Sequence, residues 1–103
     1  MTAPKLEGYR LTPAAQTDLD DIWTYTVAQW SADQAESYLR GLAQTLDLLV
    51  GEPKLARERN EIAPPVRLHP YRSHSVIYRI EGRFIDVIRI VHSHQHWQDL
   101  IGA

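Results

Sequence analysis

The chain has 103 residues, enough for one small domain and too few for two. Its hydrophobic fraction of 44% and charged fraction of 23% exclude a disordered chain, and the lack of cysteine excludes disulfides and thiolate metal sites. A net charge of −2 argues against charge-driven binding of nucleic acid by the domain as a whole.

That charge is unevenly spread. Residues 1–50 carry three basic and seven acidic side chains, a balance of −4, with Asp18, Asp20 and Asp21 crowded together. Residues 51–103 carry eight basic and six acidic ones, a balance of +2, so an anionic partner is expected on the C-terminal half. Residues 1–7 read as a flexible N-terminus. They hold no apolar run of the kind a signal peptide needs, and nothing approaches the roughly 20 apolar residues of a membrane span. A cytoplasmic protein is expected.

Tyr9 to Thr12 reads as a first strand. Thr12-Pro13 then supplies a hydroxyl cap followed by proline at the first helical position, which marks a helix start. Ala15, Leu19, Ile22, Trp23, Thr26 and Trp30 fall on one helical face, which places both tryptophans in the core. Ser31 to Gln34 has the spacing of a capping box and opens a second helix, whose apolar period runs from Ala35 to Val50. Gly51 and Pro53 end it. Two amphipathic helices with almost no linker must fold back as an antiparallel hairpin.

Residues 52–65, with Pro53, Pro64 and Pro65, read as a loop. Val66 to His69 is a second strand, stopped by Pro70, and Ser73 to Ile80 is a third. Glu81-Gly82 makes a tight turn into Arg83 to His92, which is apolar on both sides and fits a central strand. Gln95 to Ile101 is a short helical turn. The order β-α-α-β-β-β predicts one α+β domain, with the helix hairpin on a three- to four-stranded antiparallel sheet. The sheet's other face has little to cover it, which points to a partner.

The segments Tyr9-Arg10-Leu11-Thr12-Pro13-Ala14-Ala15, Leu19-Asp20-Asp21-Ile22-Trp23, Tyr25 and Tyr38-Leu39 follow one another in this order. After them come Val66-Arg67, His74 to Ile80, and Val87-Ile88-Arg89-Ile90-Val91-His92. Together they resemble the ParE branch of the ParE/RelE toxin superfamily over residues 8 to 100. The resemblance implies a toxin of a type II toxin–antitoxin module, held by a ParD-like antitoxin. The ParE branch implies inhibition of DNA gyrase by protein–protein binding, and the RelE branch implies ribosome-dependent mRNA cleavage.

RNA cleavage needs a base, an acid and cations around the phosphate. The segment after Arg89 contains no Lys, Arg or Tyr, which favours the ParE side, with no catalytic residue, metal or cofactor. His92, His94 and His96 recur with period two and would share one face of an extended strand. A base at His92 or His94 beside Arg67, Arg72 and Arg89 keeps the endonuclease as the alternative. Three imidazoles also suit zinc or nickel. The plainer reading is a strand end with His92 half-buried and hydrogen-bonded. Arg67, Arg72, Arg79 and Arg89 form either an anion-binding patch or a solvated sheet face, with Arg79 and Arg89 able to pair with Asp86 or Glu81. Trp97, in a polar tail, either pins that tail to the sheet or contacts a partner. The residues expected to bind a partner or carry toxicity are therefore Arg67, Arg72, Arg79, Arg89, His92 and Trp97, and residues 97–103 are expected to be dispensable for folding.

Overall fold

The computed structural model describes residues 6–101, so residues 1–5 of the expected flexible N-terminus lie outside the described residues. Leu6 packs on the core, and the Glu7 amide donates to the Arg83 carbonyl at 2.6 Å. Strand β1 (Gly8–Leu11) leads into helix α1 (Pro13–Gln29) through Thr12, whose hydroxyl accepts from the Ala15 amide at 3.0 Å. Ser31 does the same for helix α2 (Ala32–Gly51), accepting from the Gln34 amide at 3.0 Å. Both caps satisfy a helical N–H that has no partner within the helix.

The chain continues through β2 (Glu58–Arg59), β3 (Val66–Tyr71), β4 (His74–Glu81), β5 (Phe84–His92) and α3 (Trp97–Leu100). The fold is α+β, with two helices on one sheet as the element order predicts. The sheet itself differs from expectation. It has five strands in the order β1-β5-β4-β3-β2, and β1 runs parallel to β5, pairing from Gly8↔Phe84 to Leu11↔Val87. Chain parity explains this. The two-residue β2 adds one reversal before β3, so β5 ends in the same direction as β1. Nor does β3 stop at Pro70. β2 pairs only with Val66 and Arg67, so beyond them β3 is an edge strand, where proline is tolerated. The last turn uses Gly82 at φ 60°, a left-handed conformation that suits glycine.

The main core lies between the helices and the sheet. Leu42, Leu46 and Leu49 of α2 and Ala15 and Ile22 of α1 meet Val76, Tyr78, Ile85, Val87 and Ile90. Tyr78 is fully buried and satisfies its hydroxyl by donating to the Pro53 carbonyl at 2.7 Å. Gly41 is where Tyr71 crosses α2, and a Cβ there would collide with the Tyr71 hydroxyl.

The opposite sheet face is not left bare, as the sequence suggested. Ile62, Val66, Ile77 and Val91 form a second cluster, covered by Trp97, Leu100 and Ile101 from the chain's own tail. β5 is thereby covered on both faces, as its apolar run predicts. Trp23 and Trp30 are corrected outward: they are 41% and 72% exposed. α1 packs toward the β1–β5 side of the sheet and buries only Ala15 and Ile22, a stripe narrower than its apolar periodicity.

Candidate partner-binding site

Past Leu11, β1 no longer pairs with β5, and side chains take over that edge from Val87 to His92. The Thr12 amide donates to the Val87 carbonyl at 3.1 Å and its hydroxyl to the Ile88 carbonyl at 2.7 Å, fixing the start of α1 on β5. Six residues of helix advance about 9 Å, and two residues of strand about 7 Å, so Asp18 arrives beside Ile90. Its Oδ2 accepts from the Ile90 amide at 2.9 Å. The same carboxylate takes Arg89 bidentately, at 2.8 Å from Nε and 2.9 Å from Nη2. A register shift between Ile77↔Arg89 and Tyr78↔Val87 leaves Ile88 unopposed, the kind of bulge that re-aims the next side chain. The bond to Asp18 pushes the Arg89 guanidinium further toward its charged form, outweighing the opposing effect of burial. Arg89 also donates through Nη1 to the Leu100 carbonyl at 3.2 Å, so one cation joins α1, β5 and the tail.

Asp18, Arg89, Ile90 and His92 form one wall of a groove of about 600 Å³. The other walls are Asp21, Ile22, Tyr25, Thr26 and Trp30 of α1, Gln34 and Tyr38 of α2, and Ser73, His74 and Gln95. Tyr38 and His74 meet inside it, with the hydroxyl 2.7 Å from Nδ1. His74 lies edge-on to His92, with ring centroids 5.4 Å apart. Burial first, then the charge of His92, lowers the His74 pKa below the usual histidine value, while Asp18 opposes the shift. Burial raises the Tyr38 pKa, so at neutral pH it is a phenol and not a phenolate.

The four expected arginines do not make one patch. Arg67 donates to the Ala56 carbonyl at 2.7 Å, and Arg79 to the Pro64 and Pro65 carbonyls at 3.2 and 3.3 Å. These two share a small cleft with Glu58 and Glu81, away from the groove. Arg72 sits alone in the β3–β4 turn at φ 51°, its guanidinium 5.7 Å from the centre of the Tyr71 ring. Only Arg89 and His92 reach the groove. Asp86 pairs with Arg10 at 2.8 Å instead of with Arg79 or Arg89. Trp97 pins the tail to the sheet, the first of its two expected roles.

His92, His94 and His96 do not share a face, because β5 ends at His92 and the chain turns. His92 is exposed, not half-buried, since it is the last residue of β5, and its Nδ1 accepts from the His94 amide at 3.2 Å. His96 faces Asp99 at 3.0 Å. Among the described residues no three His, Asp or Glu side chains are arranged to hold a metal ion. Sequence reasoning missed Asp18, Tyr38, His74 and Tyr25 as site residues. Asp18 alone left a trace, as an acid six positions after a helix cap.

Comparison with known proteins finds relatives over most of the chain. The family model described as "ParE toxin of type II toxin-antitoxin system, parDE" matches residues 9–97. The chain is 42% identical over 85 residues to "Toxin ParE1" of Mycobacterium tuberculosis (strain ATCC 25618 / H37Rv), which covers 82% of this chain and 87% of that protein. It is 34% identical over 87 residues to "Toxin ParE1" of Caulobacter vibrioides, covering 84% and 90%. A solved structure titled "Chromosomal ParDE TA system from P. aeruginosa" superposes with a TM-score of 0.73 at 21% identity, covering 86% of this chain and 98% of that one.

Proposed function

The chain belongs to the ParE family of toxins from type II toxin–antitoxin systems, and from that premise we propose that a ParD-like antitoxin holds it and that it inhibits DNA gyrase by occupying a protein surface in the cytoplasm. One observation carries the non-enzymatic reading. Three of the four candidate arginines are already bound within the molecule, Arg67 and Arg79 by backbone carbonyls and Arg89 by Asp18. Cations committed in this way are poorly placed to grip a scissile phosphate. Arg72 and His92 stay exposed, and they are the members of the candidate set available to a partner. Among the described residues no helix is long and apolar enough to cross a membrane.

The RelE-like alternative, mRNA cleavage, is favoured by the Tyr38–His74–His92 cluster, which holds groups suited to proton transfer. Among the described residues Arg89 is the one guanidinium lining that groove, and it is neutralised by Asp18. The direct test is supercoiling of relaxed plasmid by purified gyrase. Inhibition by the toxin, relieved by a ParD-like antitoxin, is expected. Full gyrase activity together with cut mRNA at translating ribosomes would overturn the proposal.

A further inference from the structure

The covering of the second sheet face is thin. Helix α3 has four residues, none of them buried, and its cap position, His96, makes no side-chain hydrogen bond to it. A helix this short has no stability of its own, since isolated helices need about 12 residues or more. It is held by Trp97, Leu100 and Ile101, partly buried on Ile62, Val66, Ile77 and Val91, and by the bond from Arg89 to the Leu100 carbonyl. Against these stands the Gln98 side chain, whose Oε1 is buried with no hydrogen-bond partner among the described residues. A buried acceptor left unpaired favours any opening that lets water reach it.

Arg89 bonds both the tail and the helix hairpin. Its Nε and Nη2 lie on the Asp18 carboxylate, and this two-point contact fixes the plane of the guanidinium and so aims Nη1 at Leu100. Arg89 can reach Asp18 because β1 stops pairing at Leu11 and leaves that edge of β5 open. Asp18 in turn lines the groove on the helix side.

We propose that residues 97–101 form a strap that opens without the rest of the fold, and that the Arg89–Asp18 pair is its latch. Opening uncovers the apolar face made by Ile62, Val66, Ile77 and Val91 and brings water to Gln98. The latch couples the two sides of the sheet. A change that draws Asp18 away from Arg89 on the groove side loosens the strap on the other, and by reciprocity an open strap weakens the hold on Asp18. This device stands apart from the antitoxin and gyrase readings.

The chain has no cysteine, so a single introduced thiol reports its own exposure. Val76 and Ile77 are adjacent on β4 and fully buried, but Val76 belongs to the core under the helices and Ile77 to the cluster under the tail. Each cysteine variant of the full chain is labelled with a thiol reagent in native buffer, and its rate is divided by its rate in urea. Ile77→Cys is expected to label about tenfold faster than Val76→Cys, because local opening costs less than global unfolding. Val91→Cys against Val87→Cys makes the same comparison on β5, should a β4 variant fail to fold. Gln98→Leu removes the unpaired oxygen and slows labelling under the strap severalfold. Asp18→Ala speeds labelling at Ile77→Cys about tenfold beyond any rise at Val76→Cys. Equal rates on the two faces of the sheet would mean that tail and core open together, which overturns the strap. An Asp18→Ala effect of the same size at both positions overturns the latch.

Discussion

Removing the Arg89 side chain tests whether the Asp18–Arg89 pair is the keystone of the molecule. Arg89→Met keeps the aliphatic stem and deletes four interactions: two bonds to Asp18, one to the Leu100 carbonyl, and the charge balance of a carboxylate only 12% exposed. Breaking a fully buried pair from one side costs about 3–5 kcal/mol. Arg89 is 24% exposed, so solvent screens part of that, and about 2–3 kcal/mol is the expected loss. In a domain of this size that lowers Tm by roughly 8–24 °C. Asp18→Asn should cost less, since its amide oxygen can still accept from Ile90. The double variant should recover about 1 kcal/mol against the sum of the singles, because the unpaired charge is gone. Urea unfolding followed by tryptophan fluorescence measures all four proteins. A loss below about 0.5 kcal/mol for Arg89→Met would show that the pair is ornamental, and the reasoning about this edge of β5 would fail.

Three further predictions concern stability and pH. Deleting residues 97–103 strips Trp97, Leu100 and Ile101 from the second core cluster, so a loss of about 3 kcal/mol is expected; an unchanged urea midpoint would restore the view of the tail as dispensable. His74 has its pKa lowered in the fold, so its neutral form is favoured and stability is full above the unfolded value near 6.5. It falls as pH drops below that value toward the folded pKa, and His74→Gln should flatten the decline in Tm between pH 7 and 5. Gly41→Ala should destabilise by about 1 kcal/mol although helix propensity alone favours alanine, because Tyr71 must give up its 2.8 Å bond to the Tyr38 carbonyl; Gly51→Ala, with nothing near its Cβ, should be neutral or stabilising in the same melt.

The helices were legible because their ends are written locally. Thr12-Pro13 and Ser31-Gln34 each place a hydroxyl where the structure uses it. The resemblance carried the family, and the apolar run of β5 correctly implied a strand covered on both faces. What failed depended on distant contacts. Glu58–Arg59 is polar and two residues long, and only its pairing with Val66 and Arg67 makes it a strand, yet it decides whether β1 and β5 run parallel. Trp30 sits on an apolar helical stripe, yet it stands 72% exposed on the wall of an open groove, which the helical period does not show. The site was least visible. His74 and Tyr38 are 36 positions apart, Asp18 and Arg89 71, and no local pattern marks them as partners.

The central claim is that this toxin works by occupancy and not by turnover, and the stoichiometry of gyrase inhibition measures it most directly. Supercoiling activity is followed while toxin is titrated against a fixed gyrase concentration well above the dissociation constant. Occupancy predicts a linear fall that levels off near one toxin per gyrase binding site, with activity returning when the antitoxin is added. Inactivation by a small fraction of an equivalent, persisting after antitoxin is added, would mean a catalytic toxin and contradict the account.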